Sequence, residues 1–392
     1  MKVIFISSEF AMPSHLFKPL ILSTCILFSG LSPAKSDDLS ELGQLLFFDT
    51  ALSKNETQAC ATCHNPEFGF TDPRDNGVSK MASLGDDDKS IGDRQAPTAS
   101  YASFSPTFHK TDKGVYKGGQ FWDGRAADLA EQAGGPPLNP AEMGMPDKAS
   151  VIERLKENPD YIDRFTKLFG ADIFKDVDLA YNKMTQAIAA YERTKEFAPF
   201  DSKYDRFLRG EVKLTGQEEL GRILFFSQQF TNCNRCHQLQ TLPGAENETF
   251  TNYEYHNIGV PSNTALRNVN GVGVEAIDDG LLANPGVTEK EHRGKHKVPT
   301  LRNVAVTAPY MHNGVFKDLR TVIKFYNKYN SRSPVSQINP ETKQNWAPAE
   351  VPDTISEEDL KVGDALDTRK IDALVAFMET LTDARYEHLL KK

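Results

Sequence analysis

The chain has 392 residues, 39% of them hydrophobic and 25% charged, with a formal net charge of −9. That length accommodates two domains of ordinary size, and that balance excludes a disordered chain. The acidic surplus argues against nucleic acid as a partner, because phosphate binding needs a basic face.

The N-terminus reads as a leader. Lys18 precedes the apolar run Pro19 to Gly30, and Ser32-Pro33-Ala34 supplies small residues for cleavage. Residues 1–34 are therefore expected to be a signal peptide, with Met12 as an alternative start and a mature chain beginning near Lys35. The run is too short for a stable bilayer anchor, and no later run approaches its length. The mature chain is expected to be exported and free of a membrane anchor.

Helical spacing of apolar residues predicts a helix over Glu41 to Phe48, followed by CATCH at 60–64. A second predicted helix, Glu218 to Phe226, precedes CNRCH at 233–237. Of five cysteines, Cys25 leaves with the leader, and the other four all lie in these two motifs. In C-x-x-C-H two thiols add across the vinyl groups of one haem, and the adjacent histidine ligates iron. Zinc binding or a thioredoxin-like pair are the competing readings. Two copies in an exported chain with no other cysteine favour haem c on Cys60, Cys63 and His64, and on Cys233, Cys236 and His237.

Between the motifs, Gly- and Pro-rich segments at 64–120 and 133–146 read as loops, and 148–169 and 177–197 as helices. A domain boundary is expected near Pro199. The second half repeats the pattern, with a loop at 240–300, a helix over Leu319 to Tyr329 and another over Lys370 to Leu381. GQLLFF (43–48) answers GRILFF (221–226), Ala96-Pro97-Thr98 answers Val298-Pro299-Thr300, and Trp122 to Leu129 answers His312 to Leu319. This is one duplication, not a solenoid. The expected fold is mainly α: two cytochrome c-like haem domains with long loops, spanning 35–199 and 200–392.

Function then turns on the sixth position of each iron. Aligning Trp122 with His312 sets Pro136 opposite Tyr326 without gaps. Tyr326 has a phenolic oxygen to offer and Pro136 has no donor. The second haem is thus expected to be six-coordinate through His237 and Tyr326, with Met311, His312 and His256 as rival donors. The first keeps an open face. There Glu142 is the candidate acid–base group for peroxide cleavage and Gln132 its hydrogen-bonding partner, although either residue type is more often simply solvated. Trp122 is the candidate relay between the haems, against core packing as the bland alternative.

The two motifs, GGQFWDGRAADL, NPAEM and KVPTLRNVAVTAPYMHNG together resemble the bacterial di-haem cytochrome c peroxidase superfamily over nearly all of the mature chain. FAPFDSKYDRF, FTNYEYHNIGV and GVFKDLRTVIKFYNKY are similar to its methylamine-utilisation branch. The resemblance implies a periplasmic oxidase in which Glu142, Gln132 and Trp122 assist peroxide chemistry, fed by hydrogen peroxide or by oxygen plus an electron donor. It implies tryptophan oxidation in precursor methylamine dehydrogenase, completing its tryptophan tryptophylquinone. It also implies a calcium ion on Gln95, Thr307 and Pro309, the last two through backbone carbonyls. Three departures stand out. Gln95 replaces an asparagine, and Thr231, beside Phe230, replaces a tryptophan ahead of the second motif. Where ordinary peroxidases carry a distal histidine, the spacing gives Lys80. The alternatives are a peroxidase fed by a small donor protein and a pure electron carrier.

Overall fold

A computed structural model describes residues 33–240 and 242–390. Residues 1–32, which hold most of the expected signal peptide, lie outside the described residues. Twelve α-helices are described: α1 Pro33–Phe48, α2 Cys60–Cys63, α3 Leu129–Ala133, α4 Lys148–Lys156, α5 Pro159–Phe169, α6 Val177–Glu192, α7 Lys203–Leu208, α8 Gly216–Phe225, α9 Thr264–Arg267, α10 Leu319–Asn327, α11 Glu357–Leu360 and α12 Thr368–Glu379. Among the described residues, sheet is confined to two antiparallel pairs of two-residue strands, β1 His109–Lys110 with β2 Tyr116–Lys117 and β3 Tyr255–His256 with β4 His296–Lys297. The fold is mainly α, as expected.

Local chemistry sets the helix ends. The segment 148–169, expected as one helix, is two. Asn158 accepts from the amide of Asp160 and Pro159 takes the first helical position, so a new helix must start there. Thr215 and Glu218 form a reciprocal capping box on α8. Asp128 and Asp318 cap α3 and α10, the two helices that follow the matched Trp122 and His312 segments. The helix expected over 177–197 ends at Glu192, and α10 stops at Asn327 rather than Tyr329.

Two apolar cores organise the chain, and each is built around a helix crossing. In the first, α1 lies on α6 and buries Leu42, Leu46, Phe47, Met184, Ile188 and Tyr191. In the second, α8 lies on α12 and buries Leu224, Phe225, Leu374, Phe377 and Leu381. Glycine makes both crossings possible. A Cβ on Gly43 would sit 1.9 Å from the Ala187 carbonyl oxygen, and one on Gly221 would sit 1.9 Å from that of Ala373. The GQLLFF and GRILFF repeat is thus the imprint of one crossing used twice. Matched loops behave alike, for Thr98 Oγ1 donates to the Gly69 carbonyl at 2.6 Å and Thr300 Oγ1 to that of Thr249 at 2.7 Å.

The halves are locked together by buried polar contacts. Arg94 forks onto Asp278 at 2.6–2.7 Å and also reaches Asp123 at 2.7 Å. The Tyr101 hydroxyl donates to Asp383 at 2.6 Å, and that carboxylate also accepts from Asn303 at 2.8 Å. Near this seam Arg302, fully buried, pairs with Asp205. Among the described residues no helix is long and apolar enough to cross a membrane.

Candidate functional site

Each pentapeptide folds so that its histidine turns back over its own first cysteine. The His64 amide donates to the Cys60 carbonyl at 2.9 Å and that of His237 to the Cys233 carbonyl at 3.0 Å. The imidazoles are then fixed by a second shared contact. His64 Nδ1 lies 3.2 Å from the Phe70 carbonyl oxygen, and His237 Nδ1 lies 3.1 Å from that of Phe250. A carbonyl can only accept, so Nδ1 carries the proton and Nε2 keeps its lone pair for iron. Both phenylalanines need a left-handed backbone, φ 54° in each, to aim that oxygen. Burial lowers the pKa of His64 and brings that of His237 down to about 4, so both rings stay neutral and fit to ligate.

Burial acts on the thiols in the opposite sense. It raises Cys60 and pushes Cys63 and Cys233 up to about 11. Neutral thiols are poor exchange nucleophiles, which weighs against the thioredoxin-like reading of the motifs.

The second motif opens on a void of about 1720 Å³, counting the part that reaches solvent. Cys233, Cys236 and His237 line it together with the apolar Val322, Leu374 and Met378. A flat macrocycle with a histidine beneath it fits such a space. Tyr326 also lines it, and burial raises the pKa of its hydroxyl. The rival donors line it too, but two are otherwise engaged. His256 Nδ1 lies 3.1 Å from Asp359, and the His312 ring stacks at 3.6 Å on His296 beside Asp278. Phe230 and Thr231 border the same void, whereas Lys80 is exposed.

Around the first motif, α3 carries Gln132 and ends in a turn over Pro136–Leu138. The chain then folds back, with the Met143 amide donating to the Pro136 carbonyl at 3.2 Å. This return draws Glu142 inward rather than leaving it solvated. Burial raises its pKa against the pull of Arg125, Asn139 donates to it at 2.9 Å, and its charge reaches both Cys60 and Cys63. Gln132 is half-buried, and among the described residues no hydrogen bond joins it to Glu142.

Trp122 lies at the edge of the second site. Its Nε1 donates to the Gln95 carbonyl at 2.9 Å, and the Gln95 amide donates to the His312 carbonyl at 2.8 Å. The indole borders the large void and also a second one, lined by Gln95, Thr307 and Pro309. The three residues expected to hold calcium therefore face one space. Sequence reasoning missed several groups here. Lys297 reaches both voids, donates to the Gly119 carbonyl at 2.5 Å, and has its pKa drawn down to about 7 by burial. Asp278, His296 and His312 cluster within 4.8 Å. The carbonyls of Phe70 and Phe250 were accessible to sequence reasoning, since each lies in a Phe-Thr pair a short loop after its motif. The Asp278 cluster left no such trace, because its members are scattered through a loop.

Comparison with known proteins agrees with this geometry. Residues 37–213 match the family model for di-haem cytochrome c peroxidase. The methylamine utilization protein MauG of Paracoccus denitrificans is 54% identical over 91% of each chain. The cytochrome c551 peroxidase of Nitrosomonas europaea is 33% identical, covering 71% of this chain and 69% of its own. Among solved structures, the di-haem peroxidase BthA of Burkholderia thailandensis superposes with a TM-score of 0.80 at 30% identity, covering 92% of this chain and 89% of the other.

Proposed function

This chain belongs to the di-haem cytochrome c peroxidase family and is a haem-dependent oxidoreductase; from that premise we propose that it is a periplasmic oxidase that uses hydrogen peroxide to oxidise tryptophans of precursor methylamine dehydrogenase. The product is the completed tryptophan tryptophylquinone cofactor. What carries this reading is the aligned pair Pro136, without a donor atom, and Tyr326, which lines the void at the second motif, in a chain 54% identical to a methylamine utilisation protein.

We assign residues 1–34 to an export signal, 35–199 to a cytochrome c-like domain open to peroxide, and 200–392 to one closed by a protein ligand. Cys60, Cys63 and His64 would hold one haem c, and Cys233, Cys236 and His237 the other. Haem supplies the redox chemistry, with iron that binds peroxide and holds oxidising equivalents. The protein supplies position and protons. Glu142 takes a proton from one peroxide oxygen and returns it to the other, so that the departing oxygen leaves as water. Gln132 hydrogen-bonds the bound peroxide. Pro136 offers no donor atom and keeps that face free.

Tyr326, which lines the same void as His237, would give the haem there a second protein ligand, and a phenolate ligand would favour the oxidised side of the couple. Trp122 gives the two halves an indole path, and Gln95, Thr307 and Pro309, which line the same void, would hold a calcium ion through hard oxygen donors. Towards the protein substrate, Phe230 supplies the aromatic surface that Thr231 lacks. That substitution, and the 33% identity to a cytochrome c551 peroxidase, favour a second reading, peroxide reduction with electrons from a small donor protein.

The two readings separate in one experiment. The haem-loaded protein is mixed with peroxide, then with precursor methylamine dehydrogenase. Growth of quinone absorbance supports the oxidase. Its absence, alongside fast turnover with a reduced small cytochrome, establishes the peroxidase instead.

A further inference from the structure

The α1–α6 crossing buries a carboxyl that the mechanism above does not use. Glu192 closes α6, is 5% exposed, and its Oε2 has no hydrogen-bond partner. An ionised carboxylate without a partner in such a place is costly, which favours the neutral form. Burial lifts its pKa to about 8, with Arg193 pulling the other way.

Two independent observations put this carboxyl beside the first haem. One is electrostatic: its charge acts on the Cys60 thiol, which is consumed in the haem linkage. The other is the repeat. Gly43 meets Ala187 and Tyr191, and Gly221 meets Ala373 and Phe377, which fixes the register of α6 against α12. In that register Glu192 is the counterpart of Met378, and Met378 lines the void at the second motif. One half has a thioether against its haem space, and the other has an acid.

Little else nearby is charged. The last two turns of α1, Leu42 to Phe48, contain no charged residue. Arg193, next on the chain, donates to the Ala189 carbonyl at 2.8 Å. Glu131 of α3 is exposed and bonded to the Ala127 amide, Lys148 of α4 pairs with Asp178 at the far end of α6, and Lys175 pairs with Asp172. Besides its motif neighbour Cys63, Glu142 also acts on Cys60, more weakly than Glu192 does. A charge gained or lost at the first haem is therefore felt at Glu192 with little competition.

We propose that Glu192 is a redox-linked proton site of the first haem, binding a proton when the iron at His64 gains an electron and releasing it when that electron leaves. One electron from an external reductant is balanced by one proton from solvent on the Glu192 carboxylate. Oxidation reverses both, so the positive charge added at the iron is offset by the anion left behind. The inference rests on the reading that Cys60, Cys63 and His64 hold a haem.

The test is mediated redox titration of the haem-loaded protein from about pH 6 to about pH 10, in wild type, Glu192→Gln and Glu142→Gln. A haem count by alkaline pyridine spectrum comes first; a single haem per chain refutes the underlying reading before the proposal is reached. With two haems present, one midpoint potential is expected to fall with pH in wild type and in Glu142→Gln, approaching 59 mV per tenfold change in proton concentration. In Glu192→Gln that slope is expected to vanish. An equal slope in wild type and Glu192→Gln overturns the proposal. If Glu192→Gln does not load haem, redox-difference infrared spectra of the wild type decide. A protonated-carboxyl carbonyl band that follows the iron's oxidation state supports the proposal, and no such band overturns it.

Discussion

At both motifs an imidazole is held by a backbone carbonyl from a phenylalanine in left-handed conformation, so His64 and His237 are prepared alike. What differs is the company each haem space keeps, and Glu142 is the clearest case. By type and loop position it reads as a solvated residue, yet the return of the chain over Pro136 leaves it half-buried with Asn139 donating to it. Its raised pKa has a kinetic sign. The carboxylate that accepts the peroxide proton exists only above that pKa, so peroxide turnover rises with pH through a limb displaced above the usual glutamate range. Glu142→Gln is expected to slow peroxide consumption about 10²- to 10⁴-fold and to remove the limb, measured by stopped-flow from acid to neutral pH. Unchanged kinetics would return Glu142 to the loop. The motifs themselves were legible residue by residue. Glu192 was not, because an isolated glutamate at a helix end carries no sign of burial in sequence.

At the scale of elements, the repeat was legible as letters but its cause was not. Glycine at 43 and 221 marks where two helices touch. Gly43→Ala and Gly221→Ala are each expected to destabilise the haem-loaded protein by about 1–3 kcal/mol or more, because the opposing atom is backbone and cannot rotate away. Urea denaturation measures this, and a change below about 0.5 kcal/mol would contradict the crossing geometry. Helix periodicity located α1, α6, α8, α10 and α12 and misjudged their ends. Asn158-Pro159 cut one expected helix in two, a boundary that capping chemistry makes legible and periodicity alone hides. The aligned pair Pro136 and Tyr326 depends on this scale, since Asp128 and Asp318 start matched helices and only α10 continues far enough to carry a tyrosine into the void.

Across the whole molecule, the seam between the halves is made of charge. Desolvation works to raise Asp278, but the His296 ring 3.4 Å away and Arg94, which donates to both of its oxygens, hold its pKa well below the ordinary 3.8. A carboxyl with a depressed folded pKa contributes stability that is fully present above its unfolded value and is lost as pH falls through its folded one. Asp278→Asn should therefore lower stability at pH 7, and the gap from wild type should narrow as pH falls below the ordinary aspartate range. Denaturation at neutral and acid pH checks this, and a constant gap would contradict it. Arg302→Met leaves Asp205 buried and unpaired, with an expected cost of about 3–5 kcal/mol. None of these long-range pairs was legible, since their partners lie 97 and 184 positions apart. The central claim is that one duplicated fold presents two unlike haem faces. Electron paramagnetic resonance of the oxidised protein, with and without Tyr326→Phe and with added cyanide, tests it most directly. The account predicts two distinct haem signals, one altered by Tyr326→Phe and the other altered by cyanide in the wild type. Two signals that both survive Tyr326→Phe unchanged would contradict it.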